Sequence, residues 1–221
     1  TYLAKQVDPN KLAEMTKLQT KISQKFQTYR AKVDGKELTD NQVEEILKNS
    51  INSKELEKVW KAHKDIGPVV ANDIIELVKK RNEVAKELGF KNYHEMSLKL
   101  SEQDPDEISK LFDELDELTR GAFSNLKKEV DEKLAKRLKI KIEDLKPWHY
   151  QNRYFQEAPK IYDIDLDTYF KGKDIVKLTQ DYYSSIDLPI DDMIAKSDLF
   201  EKPGKNQHAY CIDIDLSLIH I

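Results

Sequence analysis

Between Asp104 and Leu138 the chain keeps one apolar face for about nine helical turns, a pattern that a long α-helix alone accommodates. Asp104-Pro105-Asp106-Glu107 opens this stretch with an N-cap, a first-turn proline and an N3 carboxylate in four consecutive residues. Ile108, Leu111, Phe112, Leu115, Leu118, Ala122, Phe123, Leu126, Val130, Leu134 and Leu138 then recur at steps of three and four. A helix from Pro105 to Leu138 is a rod of roughly 50 Å, long enough to brace a large helical protein. Gly121 interrupts the face and permits a bend or a close approach.

The same period governs most of the remaining chain, so the predicted fold class is mainly α. Leu12, Met15, Leu18, Ile22, Phe26 and Tyr29 predict a helix over Lys11 to Lys32, ended by Gly35. Thr39-Asp40 caps a second helix through Leu47, and Ser53 opens a third carrying Leu56, Val59 and Trp60. Pro68 suits the first turn of a helix that stops at Leu88-Gly89, and Asn92 with Glu95 forms a capping box for the next. Pro147 to Phe155 is aromatic and irregular, a packed connection. Helical segments return at Asp167 to Phe170, Asp174 to Ile186 and Asp191 to Ala195. No internal repeat or low-complexity linker divides residues 1–215, which read as one domain.

Composition excludes several classes. Charged residues make up 35% of the 221 residues, but 37 basic and 41 acidic side chains are interleaved and sum to −4. That leaves no broad cationic surface for nucleic acid. Lys127-Lys128 and Lys136-Arg137 share their helix with Asp131 and Glu132 and read as a solvated face. No apolar run is long enough to span a membrane. Cys211 is the single cysteine, so the chain has no internal disulfide.

Most candidate chemistry fails on spacing. His94-Glu95 begins like a zinc-binding helix motif, but the second histidine one turn on is Leu98. His63 and His149 have no second ligand at helical spacing and read as hydrogen-bonded histidines between helices. Asp163, Asp165 and Asp167 alternate like a calcium loop, yet Thr168 stands where the loop needs glycine. His208 and Cys211 are three residues apart, which on a strand places them on opposite faces and excludes a thiol-protease pair. No serine triad or phosphate loop occurs.

One segment remains. Pro203-Gly204 punctuates the chain and His208-Ala209-Tyr210-Cys211-Ile212-Asp213 then alternates as a strand. This run, with the Lys202-Pro203 turn before it, resembles the substrate-binding edge strand of the angiotensin-converting-enzyme family of zinc peptidyl-dipeptidases. Three further segments resemble the same family in order: Glu57 to Pro68 with Arg81 to Phe90, Lys146 to Tyr150, and Ser197 to Pro203. The resemblance implies a multi-helix zincin-type peptidase domain, here incomplete, with a short edge strand near the C-terminus. It implies a peptide substrate, a zinc ion in the parent protein and a periplasmic or extracellular setting.

By the same resemblance Ala209 pairs with substrate through its backbone, and His208 donates a hydrogen bond to a substrate carbonyl. Tyr210 and Cys211 depart from the family's usual His-Ala-Ser-Ala run. The family's H-E-x-x-H helix has no counterpart in this sequence, so no catalytic residue and no bound metal are expected in this chain. Thr1 is no initiator methionine, and residues 216–221, which include His220, resemble translated adapter sequence, so the chain reads as truncated. Two other readings stay open: the related oligoendopeptidase family, which shares the Pro-Gly-Lys turn, and a non-catalytic helical interaction module built on Pro105 to Leu138.

Overall fold

The first element, α1 (Pro9–Thr28), lies antiparallel to α4 (Ile66–Glu87), and charge steps along the pair in reverse order. Lys11 meets Glu87, Lys80 meets Glu14 at 2.8 Å, and Asp73 accepts from Lys21 at 2.8 Å and Lys25 at 2.7 Å. Beneath this ionic seam Leu18, Ile22, Ile66, Val70 and Leu77 form an apolar cluster. The structure, a computed structural model, describes residues 6–162, 164, 167–200 and 202–205. It is mainly helical with one small two-stranded sheet.

That sheet corrects the expected first helix. The helix ends at Thr28, and residues 31–33 belong instead to strand β1 (Ala31–Val33), antiparallel to β2 (Lys36–Leu38). Asp34 and Gly35 turn the hairpin with φ of 52° and 77°, the double left-handed geometry that an Asp-Gly pair favours. Ala31 is buried and Val33 and Leu38 pack on the second apolar cluster, so tertiary burial outweighs the helical spacing that continues through Tyr29.

This second cluster joins α2 (Asp40–Asn49), α3 (Ser53–Lys64) and the end of α6 (Pro105–Leu138) through Val43, Leu47, Leu56, Val59, Ala62 and Leu138. Each helix starts where its cap predicts, within a residue or two. Thr39 and Gln42 form a reciprocal capping box on α2, and Asn52, one residue before the expected Ser53, caps α3. Asn92 accepts from Glu95 N–H to start α5 (Tyr93–Leu100), while the Glu95 carboxylate accepts from Lys91 N–H.

Helix α6 spans the expected residues, with the Asp104 carboxylate accepting from the Asp106 and Glu107 N–H groups. It ends on Lys139 in the left-handed region, with Ile140 N–H on Ala135 O at 3.1 Å. Its apolar face is covered only over Val130, Leu134, Ala135 and Leu138. Residues 109–126 are exposed all round, a difference from the bracing rod expected of so long a face. Periodicity reports which side of a helix is apolar and not how far along its length a neighbour covers it.

The described residues separate into two compact units that divide between Ile161 and Tyr162. The second contains a 3-10 turn at Asp167–Tyr169, then α7 (Ile175–Ser185), capped by Asp174, and α8 (Asp191–Ala195). Asp163, Asp165, His208, Ala209, Cys211 and the tail from Leu216 lie outside the described residues.

Candidate substrate-facing site

The turn that leads to the proposed substrate strand is described. Lys205 N–H donates to Lys202 O at 3.2 Å, closing four residues in which Pro203 takes the second place and Gly204, at φ 77°, the third. Proline presets φ at the second position, and the third requires a positive φ that glycine adopts without strain. The Lys205 ammonium folds back to donate to the carbonyls of Asp198 and Phe200, and Asp198 pairs with Lys202 at 2.5 Å. Hydrogen bonding to this carboxylate, from Lys202 first and then from Lys205 at 3.3 Å, holds the Asp198 carboxyl below its usual range. The approach from Asp198 to Lys205 is thereby tied at both ends of the turn. His208 and Ala209 follow it in sequence, outside the described residues.

In the first unit, the aromatic connection docks on α3 and α2 as a latch built from four kinds of contact. Two short 3-10 turns, Ile142–Asp144 and Pro147–His149, bring Trp148 to Trp60 with ring centroids 6.1 Å apart. His149 is buried, accepts from Lys146 N–H on Nδ1 at 2.8 Å, and so carries its proton on Nε2, which donates to Ser53 Oγ at 2.7 Å. Arg153, only 4% exposed, reaches Asp40 at 2.8 Å and Glu44 at 2.6 Å. Lys64 donates to the Arg153 carbonyl at 2.7 Å and lies 4.6 Å from the Tyr154 ring centroid.

His63 completes the latch by pairing its Nε2 with the Tyr154 hydroxyl at 3.2 Å. Burial first, then the positive charges of Arg153 and Lys64, push its pKa down to about 4. A histidine neutral throughout the physiological range and closed off from solvent is a structural group, not a general acid or base. The two histidines thus take the hydrogen-bonded interhelical places that their isolation in sequence predicts. His94 is exposed at the start of α5, with Glu95 occupied as described.

On its outer side the latch faces an open groove of about 570 Å³ between α6 and the chain from Leu145 to Pro159. Its walls are mostly apolar, with Phe123, Leu126 and Val130 on one side and Leu145, Pro147 and Phe155 on the other. Tyr150 marks its polar edge, donating to Asp131 at 2.8 Å and accepting from Lys127 at 2.9 Å. Burial and the Asp131 contact raise the Tyr150 pKa against the pull of Lys127, so the phenol stays protonated near neutrality. Arg153 with its two carboxylates carries no spacing that announces it, and of the trio only Lys127 and Asp131, four residues apart on α6, do. The carboxylate partners of Arg153 lie more than a hundred positions away in the chain.

The chain falls in the class of zincin metallopeptidases by kinship. It belongs to peptidase family M3, whose model matches residues 46–218 and so includes α3, the aromatic connection and the His208 run. No curated protein and no solved structure matches it. The resemblance seen in the sequence is thereby shown at the level of zincin metallopeptidases. Peptidases of this family generally use zinc. The described residues do not fit that ion, because no three His, Cys, Asp or Glu side chains among them come together as a ligand set. Among the described residues, no helix is long and apolar enough to cross a membrane.

Proposed function

We propose that this chain forms part of a zinc-dependent peptidase of the peptidyl-dipeptidase type, supplying cleft walls from its helices and one substrate-binding strand at His208 and Ala209. The carrying observation is the M3 family match over residues 46–218, which takes in the turn at Pro203-Gly204 and the His208 to Asp213 run after it. An edge strand has unpaired N–H and C=O groups that accept an extended peptide as a further strand. His208 then offers an imidazole donor to the carbonyl under attack, where a hydrogen bond strengthens as negative charge develops. Removal of dipeptides from the C-terminus is the mode supported by the resemblance of the His208 to Asp213 run; internal cleavage is the oligoendopeptidase mode.

In the intact peptidase, His208→Ala is expected to lower kcat by about 100- to 1000-fold with zinc content unchanged. Ala209→Pro removes a backbone donor and raises KM if that N–H pairs with substrate. Unimpaired turnover of His208→Ala, or loss of its zinc, excludes the assigned role. Mass spectrometry of products from peptides blocked at either end separates dipeptide release from internal cleavage.

A further inference from the structure

Along the seam between α1 and α4, Lys11, Lys21, Lys25 and Lys80 each meet a carboxylate across the helix pair, and Arg81 does not. Its neighbours three and four residues away on α4 are Leu77, Val78, Val84 and Ala85, so its own helix supplies no acid. On α5, Glu95 is taken by Lys99 at 2.8 Å and by the Lys91 N–H. The Arg81 guanidinium donates instead to the neutral Gln19 Oε1 at 2.7 Å and lies 4.9 Å from the Tyr93 ring centroid. Gln19 is itself oriented, its Nε2 donating to Ser23 Oγ at 3.3 Å. A planar fork of several donors is thus held in place with a neutral amide as its hydrogen-bond partner.

Arg81 and Tyr93 line a pocket of about 330 Å³ between α1, α4 and α5. Its other walls are mostly apolar, with Met15 from α1, the buried Leu77 and Val84 from α4, and the buried Met96 from α5. We propose that this pocket binds a small monocarboxylate with an apolar body, its carboxylate on Arg81 and its body against the two methionines. A guanidinium without an acid takes a carboxylate through paired charge-assisted hydrogen bonds, and the apolar wall takes the body by burial. The ligand thereby supplies the acid that this position of the seam lacks. A volume at the lower end for ligand pockets restricts it to a small molecule. A medium-chain alkanoate and an N-acylated apolar amino acid share this chemistry.

Methyl NMR of the full chain with labelled methionine tests this. The chain has three methionines, of which Met15 and Met96 line the pocket and Met193, on α8, is an internal control. Octanoate and N-acetyl-leucine are titrated in separate arms, and the tighter of the two assigns the source. The expected result is saturable shifts of Met15 and Met96 with a Kd of about 1 mM or lower and Met193 unmoved. Octanamide and N-acetyl-leucinamide, which match the acids in shape and lack the charge, should bind about tenfold more weakly. Arg81→Gln should weaken the acids by about tenfold and leave the amides unchanged, with far-ultraviolet circular dichroism preserved. Arg81→Lys should fall between, since an ammonium keeps the charge without the fork. Absence of shifts with both acids, amides as tight as the acids, or an Arg81→Gln chain that binds the acids like the original overturns the proposal. The amide comparison uses the unaltered chain and so holds whatever the variants do to folding.

Discussion

Arg153 draws together elements that nothing in their local sequence relates. Its guanidinium forks onto Asp40 and Glu44 while its carbonyl accepts from Lys64, so one residue ties the connection to both α2 and α3. Arg153→Ala is expected to cost about 3 kcal/mol in urea unfolding, the lower end for a broken buried pair, because Asp40 and Glu44 keep some solvent. Arg153→Lys should recover part of this, since a single ammonium lacks the planar fork. His63 gives the latch a pH dependence. Its folded pKa of about 4 lies below the ordinary 6.5, so between those values the unfolded chain binds a proton that the folded chain refuses. Stability is thus full above pH 6.5 and drains as pH falls toward 4, by at most about 3 kcal/mol. His149 is shifted down by burial too and adds in the same sense. Thermal melts of His63→Gln across this window should show most of the slope removed. Both histidines are legible in the sequence as unligated groups between helices. Arg153 is not, because ion pairs between distant segments leave no periodic trace.

At the scale of elements, legibility follows the length of the pattern. Helix α6 is read to the residue from its Asp104-Pro105 start and its long periodic face. The hairpin escapes notice because each strand has three residues, too few for alternation to register, while Tyr29 prolongs the helical spacing of α1. Asp34-Gly35 was the available signal, a turn pair between short apolar alternations. Gly35→Val places a β-branched side chain at φ 77° and should destabilise the chain by about 2 kcal/mol. Space is not the obstacle: a Cβ there would meet nothing within 4 Å. Gly35→Asn, which tolerates the left-handed region, should therefore recover most of the loss in the same denaturation experiment.

For the whole molecule, the family match over residues 46–218 carries the assignment, and the described residues do not bring a metal-ligand set with it. The dialysed chain is expected to retain well under one equivalent of zinc by elemental analysis, because its described residues offer no ligand set. Retention near one equivalent would place at least part of the ligand set outside the described residues. The Pro203-Gly204 turn was legible as punctuation, whereas the groove beside Tyr150 was not, since it forms only when α6 and the Leu145 to Pro159 chain fold together. The latch has an optical consequence. Trp60 and Trp148 are the two tryptophans of the chain, and both sit in its packed face. Indole emission from this protein is consequently a local signal, reporting the seating of one connection on α3. The second unit, whose helices α7 and α8 contain Tyr182 and Tyr183 but no tryptophan, can melt in the dark under indole excitation. A single fluorescence transition would then measure the latch and be silent on the segment that leads into the proposed substrate strand.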